Sequence, residues 1–379
     1  MSLPLSDHPR RRDLLAGAGA LAVALSPVRL LAQAPAGVFA PLDKVIADQA
    51  AKAGGSGFLA VAHQKRLVHI AGFGGMNPRD RYRTFSLSKA VTGLAVATLA
   101  QRGKLDLDAP LGRYIGDALK KAGTPADPRV AGITVRQTLF HMAGFPSNEQ
   151  DDPIIPVKGW PVPKGHERDP RRWRKEDLLP AIIKRPLESE PGKEYHYSNA
   201  GYVILGLVIE AASGKSYEQY CQEAVFKPAG LDGPRVTPDR RFIDSVSGWQ
   251  MAPTEILKLW WVFEEDDTRV LSPAMHKLFR TPSGAFISAQ RTTYYSFGMM
   301  VRAFRPGVLI WYHTGRLQFG PKEEQIITFA TRAPSISMVW AIRPSIDMQS
   351  LAAVDRDLWA AARAVKDWPA HDLFAQYSL

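Results

Sequence analysis

The sequence has little of several things that would mark particular classes of protein. Its 379 residues include one cysteine, Cys221, which excludes an intramolecular disulfide and a zinc site built from several cysteines. Acidic residues number 37 against 48 basic ones, so the formal net charge is +11. That balance permits nucleic acid, an anionic membrane surface or an anionic envelope polymer as a partner, and does not choose among them. Internal repeats and low-complexity tracts are also absent from the sequence.

The apolar run near the amino terminus is too short to cross a bilayer. It covers residues 16–28, whereas a spanning helix needs about 20 residues. A twin-arginine pair, Arg11-Arg12, stands before it, and small residues at 32–34 follow at the spacing of a signal peptidase site. Residues 1–34 are therefore predicted to be a twin-arginine signal. An ordinary secretory signal and a basic tail are the alternatives, and cleavage after residue 36 is an alternative to cleavage after residue 34.

Export would change which partners the charge permits. Removing residues 1–34, which hold four Arg and two Asp, takes two from the net charge and leaves about +9. The protein is then expected to be periplasmic or secreted, with no stable membrane span after signal cleavage and no nucleic acid as its partner. An anionic cell-envelope polymer is the partner that remains permitted, and solubility alone is the other interpretation of the charge.

The remaining chain alternates between segments typical of helices and of strands. Both ends combine the two, whereas residues 105–237 are mostly helix and loop. We therefore predict an α/β (α+β) fold class, with an antiparallel sheet flanked by helices from both chain ends and an inserted helical lobe. In this scheme residues 35–379 form one domain, with an α/β lobe at about 38–100 and 246–379, a helical lobe at about 101–245, and a surface excursion at 147–174. The predicted helices are 39–53, 86–101 and 348–367, and the predicted strands are 58–62, 67–73, 292–304, 308–312, 325–331 and 336–343.

Three short motifs carry the candidate chemistry. They are Ser86-Leu87-Ser88-Lys89, Tyr197-Ser198-Asn199 and His313-Thr314-Gly315. Each pattern occurs once in the chain, and the second uses one of only three asparagines. A single motif of this length arises by chance, but all three in this order on the predicted elements are a strong signal of a catalytic site.

The first motif predicts a nucleophile beside its base. Residues three apart lie on one helix face, so Lys89 can reach the Ser86 hydroxyl. A serine hydroxyl is a weak nucleophile until a base takes its proton, and a lysine in apolar or cationic surroundings can be neutral enough to do so. The alternative is a helix-capping serine and a solvated lysine.

The other two motifs predict groups that surround this pair. Tyr197 offers a phenol that can relay a proton, as a base toward Ser86 or as an acid toward a leaving group. Asn199 offers an amide to a substrate carbonyl. His313 and Thr314 are expected to close a strand, and Gly315 would let a ligand backbone approach its edge. A half-buried aromatic residue and a strand that ends in a turn are the alternatives.

With these motifs the sequence resembles the serine β-lactamase and penicillin-binding-protein family, on its class C β-lactamase and D-alanyl-D-alanine carboxypeptidase branch. The resemblance covers roughly residues 39–379. It implies that Ser86 is acylated, that Lys89 and Tyr197 form its proton network, and that Asn199 positions the substrate. It also implies that the backbone N–H groups of Ser86 and Arg316 form an oxyanion hole. Further matches to the family lie at 105–111, 133–145, 191–192 and 199–202.

Two positions and one stretch depart from the family pattern. His313 stands where many members have lysine, although histidine is a known alternative. The next residue, Thr314, follows the pattern and would help to hold a substrate carboxylate or carbonyl. Arg316 follows Gly315 where small residues are usual, so it would either clamp an anionic substrate or narrow the cleft against bulky β-lactams. A second stretch, Gly248-Trp249-Gln250-Met251, replaces a usually Gly-rich segment. These departures leave the chemistry intact and bear on the choice of substrate.

The sequence therefore predicts an exported serine hydrolase that acts on D-alanyl peptides, small esters or amides. A class C β-lactamase and a non-catalytic envelope sensor of the same fold are the alternatives. The expected partner is a small-molecule or peptide substrate, and no metal or cofactor is expected. Outside the motifs, Cys221 is expected to be a buried thiol and His141 to pack or cap a turn. The basic residues at 168–175 are expected to be a solvated loop, with a site for an anionic partner as the alternative.

Overall fold

The computed structural model describes residues 37–147, 170–305, 307–318 and 321–377. The predicted signal at 1–34 and most of the predicted excursion at 147–174 lie outside the described residues. Within the described ranges, no helix has both the length and the apolar character that a membrane crossing requires.

Seven strands form one antiparallel sheet, in the order β2-β1-β10-β9-β8-β7-β6. The amino-terminal hairpin joins the carboxyl-terminal strands because β1 pairs with β10, from Ser56 opposite Arg343 to His63 opposite Ile336. The sheet is thus built from both chain ends, and the predicted fold class is confirmed. A second sheet of three short strands, β3-β5-β4, was not predicted. The strands are β1 (Ser56–His63), β2 (Arg66–Phe73), β3 (Tyr82–Arg83), β4 (Arg235–Val236), β5 (Trp249–Met251), β6 (Thr293–Ser296), β7 (Met299–Arg305), β8 (Val308–Leu317), β9 (Ile326–Arg332) and β10 (Ile336–Arg343).

Helices cover both faces of the large sheet. The first and last long helices pack on one face through apolar residues such as Leu42, Ile46 and Leu358, and the helical middle of the chain packs on the other face. Most of these helices lie in the chain between the two halves of the sheet, as predicted, while the exact lobe boundaries stay a prediction. The helices are α1 (Ala40–Lys52), α2 (Ser88–Gln101), α3 (Gly112–Ala122), α4 (Val135–Leu139), α5 (Lys175–Ile183), α6 (Asn199–Ser213), α7 (Tyr217–Cys221), α8 (Asp244–Ser247), α9 (Pro253–Trp261), α10 (Pro273–Arg280), α11 (Met348–Ala364) and α12 (Phe374–Tyr377).

Helix α2 is buried on all sides, whereas its sequence predicted a single buried face. Every residue from Ser88 to Leu99 is buried. The helix is made largely of small residues, and the sheet and neighbouring helices therefore approach it closely. A helix without a polar face is typical of the centre of a protein, so any group placed at its start is held firmly.

A tight turn sets the sheet against α2. The sequence predicted one strand over 292–304, but Phe297 and Gly298 have φ values of 46° and 84° and split it into the hairpin β6–β7. A methyl group on Gly298 would lie 1.9 Å from the Lys89 carbonyl oxygen, and one on Gly93 would lie 1.8 Å from the Phe297 carbonyl oxygen. Backbone therefore packs directly on backbone here, which fixes the sheet relative to the first turn of α2.

Candidate active site

The serine of the first motif lies in a strained turn that leads into α2. Ser86 occupies the 3-10 turn Phe85–Leu87, and the α-helix continues from Ser88. The preceding Phe85 has a φ of 45°, in the left-handed region, which costs a non-glycine residue about 1–2 kcal/mol. Its neighbours Thr84 and Leu87 are buried while Ser86 is half-buried. The turn thus holds the Ser86 hydroxyl in a fixed position and leaves it accessible.

The lysine of the same motif is fully buried and reaches the serine, as the spacing predicts. The Lys89 Nζ lies 3.1 Å from Ser86 Oγ. It also donates to Asn199 Oδ1 at 2.7 Å and to the Val246 carbonyl oxygen at 3.3 Å. Three elements, α2, α6 and α8, therefore meet at one nitrogen atom.

These three neighbours suit both protonation states of Lys89. The Asn199 and Val246 oxygens can only accept, whereas the Ser86 hydroxyl can accept or donate. An ammonium can donate to all three. A neutral amine can donate to the two oxygens and accept from Ser86 through its lone pair. A proton can therefore pass from Ser86 to Lys89 with little movement of heavy atoms, which is what a base that activates serine requires.

The second motif lies where α6 begins. Asn199 is the first residue of α6 and is buried, and Tyr197 lies just before the helix and is half-buried. The centroid of the Tyr197 ring is 5.0 Å from Lys89 Nζ, a cation–π distance. The structure therefore brings the first two motifs together around one lysine.

The third motif lies inside strand β8. The sequence predicted a strand over 308–312 that His313 and Thr314 would close, but β8 continues to Leu317. Strand β9 pairs with it from Trp311 to Leu317, while β7 pairs with it only as far as Tyr312. A methyl group on Gly315 would meet the Thr84 carbonyl oxygen at 1.9 Å. Glycine at this position therefore lets β8 lie directly against the turn that carries Ser86.

Side chains of β8 alternate between two faces. His313 and Gly315 face the start of α2, so Thr314 and Arg316 face the other way. The Arg316 guanidinium donates to Gln318 Oε1. Burial lowers the pKa of Arg316, although the negative charge of Asp347 acts in the other direction. The predicted roles of Arg316 as oxyanion donor and substrate clamp stay predictions.

Both ring nitrogens of His313 are engaged. Nδ1 is 2.8 Å from the Thr314 carbonyl oxygen and must donate to it, so Nε2 accepts from the Tyr295 hydroxyl at 3.3 Å. Burial, together with the charge of Lys89, lowers the pKa of His313 to about 3. The imidazole is thus neutral at pH 7, whereas a protonated lysine at this position would carry a positive charge. Its predicted catalytic role stays a prediction.

Two further contributors escaped the sequence motifs. His141, expected only to pack or cap a turn, packs against the Tyr197 ring, with the ring centroids 4.4 Å apart and the ring planes tilted by 41°. Its left-handed φ of 59°, just after helix α4, singles it out, and that feature is visible only in the structure. The Val246 carbonyl leaves no sequence signal at all, since any residue can supply a backbone oxygen.

A buried charged network holds the helix that supplies this carbonyl. Lys175, which the sequence predicts to lie in a solvated loop, is instead buried at the start of α5 because two carboxylates pair with it. Its Nζ donates to Asp244 Oδ2 at 2.9 Å and to Glu210 Oε1 at 2.8 Å. Asp244 begins α8, two residues before Val246. Burial raises the pKa of Asp244 to about 7, although Lys175 opposes that shift. The network connects α5, α6 and α8 beneath the candidate site.

The other sequence predictions lie away from this site. Cys221 is buried, as expected, and burial raises its pKa well above the usual value. In the described ranges, no group of three or more His, Cys, Asp or Glu side chains is arranged to hold a metal ion. The groups that the described residues bring together at the site include a serine hydroxyl, an amine and a phenol.

Comparisons with known proteins agree with this geometry. A sequence model described as Beta-lactamase matches residues 42–334. The octameric penicillin-binding protein homologue from Pyrococcus abyssi has a TM-score of 0.68 at 19% identity, over 88% of this chain and 78% of that one. The D-amino acid amidase from Ochrobactrum anthropi SV3, complexed with L-phenylalanine amide, has a TM-score of 0.68 at 16% identity, over 87% of this chain and 100% of that one. At these identities the likeness establishes a shared fold.

A curated relative matches a shorter region. Protein flp of Staphylococcus aureus (strain MW2) is 26% identical over 212 residues, which are 50% of this chain and 39% of that protein. The chain therefore spans about two fifths of the length of this relative.

Proposed function

The chain belongs to the beta-lactamase family and is a serine hydrolase, and we propose that it works through an acyl-enzyme on Ser86. The observation that carries this proposal is the placement of Lys89 Nζ, 3.1 Å from Ser86 Oγ and held by Asn199 and Val246. A buried amine in that position has a proton-transfer role that a binding protein would not need.

The reaction proceeds in two halves. Neutral Lys89 takes the proton of Ser86 while Oγ attacks the substrate carbonyl carbon, and the oxyanion forms against the backbone N–H groups of Ser86 and Arg316. Tyr197 relays a proton to the departing amine or alcohol as its bond to the carbonyl carbon breaks. Water then attacks the acyl-enzyme by the reverse proton path, which releases the acid and restores the Ser86 hydroxyl.

The substrates proposed are D-alanyl-type peptides, small esters or amides, ahead of β-lactams. Neutral His313 has no N–H left to donate, because one nitrogen bonds Thr314 and the other accepts from Tyr295. A substrate carboxylate bound beside His313 would therefore have no cation to pair with at this position, whereas a lysine would supply one. Within the proposed set, esters, amides and D-alanyl compounds with an uncharged leaving part should therefore be preferred over peptides that release a residue with a free carboxylate. The D-amino acid amidase of the same fold is a precedent for an amide substrate.

A comparison of two leaving groups tests the substrate class. One substrate is a D-amino acid amide, and the other is a dipeptide with the same acyl residue and a free terminal carboxylate. The amide should have the higher kcat/KM. A higher kcat/KM for the dipeptide would contradict the argument from His313.

A pair of reporters tests the reaction itself. The protein is incubated with a reporter penicillin and with a p-nitrophenyl ester, and turnover is recorded beside Ser86→Ala. Turnover of the ester should disappear in Ser86→Ala, and turnover that survives the substitution would remove the nucleophile assignment. A lasting adduct without turnover of either reagent would favour the envelope sensor instead.

Export by the twin-arginine route is proposed for the same chain. Its support is the Arg11-Arg12 pair before the apolar run at 16–28, and the chain after residue 34 would carry about +9 toward the anionic polymers of an envelope. Replacing both arginines by lysine should stop processing of the expressed protein, as measured by intact mass in the periplasmic fraction. Unchanged processing would exclude this route.

A further inference from the structure

His141 stands where helix α4 ends, in a backbone conformation that favours glycine. Its φ is 59°, its side chain is 2% exposed, and its N–H donates to the Thr138 carbonyl oxygen at 3.2 Å. Glycine or asparagine commonly takes the left-handed position after a helix because other residues are strained there. A histidine in this strained conformation suggests that its side chain has a role.

His141 accepts two hydrogen bonds from the residues on either side of Tyr197. The His196 N–H donates to the His141 carbonyl oxygen at 2.8 Å, and the Ser198 N–H donates to His141 Nδ1 at 3.1 Å. These are the residues immediately before and after Tyr197. Between them, the imidazole lies against the phenol ring at 4.4 Å with an interplanar angle of 41°. One residue therefore fixes both the backbone and the ring of Tyr197.

The hydrogen bond to Ser198 sets the protonation of His141. Because Nδ1 accepts from a backbone N–H, the ring proton must be on Nε2 and the imidazole is neutral. Burial and, to a smaller extent, the positive charge of Lys89 lower its pKa well below the ordinary value. The contact with Ser198 is thus stable around neutral pH, and His141 does not compete with Lys89 for the Ser86 proton.

We propose that His141 is a positioning residue that holds the phenol of Tyr197 beside Lys89 for proton transfer during acylation. The inference rests on the proposed function, since it assigns a task within the reaction at Ser86. His141 touches neither Ser86 nor Lys89 in the contacts described above, so it acts through Tyr197. Loss of its support should slow acylation and leave substrate affinity nearly unchanged.

Two substitutions that both tolerate a left-handed φ form a matched test. His141→Asn keeps an acceptor close to the position of Nδ1, and His141→Gly removes both the acceptor and the ring that packs against Tyr197. The acylation rate and KM for a p-nitrophenyl ester are measured by stopped flow, per protein molecule that gives a burst. Misplaced proton relays cost about 10²-fold or more. We expect His141→Gly to lose about 10²-fold in rate with KM within about threefold, and His141→Asn to stay within about tenfold of the wild type.

A double substitution separates positioning from a merely structural role. If His141 acts through Tyr197, adding His141→Gly to Tyr197→Phe should slow acylation little further, whereas independent effects would multiply. Equal rates for His141→Gly and the wild type, equal losses in the Gly and Asn variants, or multiplying effects would each overturn the inference. If the wild-type protein gives no adduct on Ser86, the proposed function is overturned and the inference with it. If the wild-type protein reacts normally and a variant gives one of these three results, the inference alone is overturned.

Discussion

Gly315 offers a sharp test of how β8 is placed against the serine turn. In Gly315→Ala, the new methyl group would lie 1.9 Å from the Thr84 carbonyl oxygen and 2.9 Å from Leu87 Cδ1. Carbon and oxygen that are not bonded stay about 3.3 Å apart at closest. The strand or the turn must therefore move by more than about 1 Å, because a backbone carbonyl cannot rotate away as a side chain would.

The size of the effect follows from that displacement. Overpacking of a tight contact costs about 1–3 kcal/mol of stability. A catalytic group displaced by about 1 Å costs about 10²-fold in rate. Since the turn carries Ser86 and the strand carries the Arg316 N–H, Gly315→Ala should lose both stability and most of its acylation rate.

The assay pairs urea unfolding with single-turnover acylation by a p-nitrophenyl ester. Gly116→Ala is the matched control, because Gly116 lies in helix α3 and an added methyl group meets nothing within 4 Å. That control should keep the wild-type rate and gain slightly in stability. A Gly315→Ala protein that acylates within about threefold of the wild type would refute the placement of β8.

Further expectations concern the neighbours of the reacting pair. Asn199→Ala removes an acceptor 2.7 Å from Lys89 Nζ, and acylation measured by stopped flow should fall about 10- to 100-fold, the usual worth of a hydrogen bond to a charged group. The pKa of His313 falls from 6.5 to about 3 on folding, so its contribution to stability is present above pH 6.5 and is lost as the pH falls toward 3. Urea unfolding should therefore show less acid sensitivity in His313→Asn. The pKa of Asp244 rises from 3.8 to about 7 on folding. The folded state therefore binds this proton more tightly than the unfolded state does, and the contribution of Asp244 to the free energy of unfolding declines as the pH rises from 3.8 to about 7. Asp244→Asn should show a smaller decline across that window, and an equal decline would contradict the shift.

Local patterns carried much of the fold and the centre of the site. Helix positions and the three-residue spacing of Ser86 and Lys89 depend mainly on nearby residues. The structure has the three predicted helices close to their predicted ranges and Lys89 beside Ser86, although α2 is buried on all sides where one buried face was predicted. The strands β1, β2, β9 and β10 follow from short runs of β-branched and apolar residues. The turn at Phe297-Gly298 was missed because phenylalanine rarely takes a positive φ, and here contacts with α2 impose it.

The rest of the site depends on contacts between distant parts of the chain. His141 and Tyr197 are far apart in sequence, and a histidine that accepts from a backbone N–H looks like any packed histidine. The direction of the Arg316 side chain likewise depends on which face of β8 meets the Ser86 turn. Neither relation leaves a pattern within a single segment, so only the folded chain reveals it.

The central claim is that Ser86 becomes acylated, and direct mapping of the adduct tests it most closely. The wild-type protein is mixed with the p-nitrophenyl ester, quenched in acid within the burst, digested and examined by mass spectrometry. The account predicts one acyl group, located on Ser86, which is absent from Ser86→Ala and strongly reduced when Lys89 is replaced by methionine. An acyl group on another residue, or none in a protein that still turns over the ester, would contradict it.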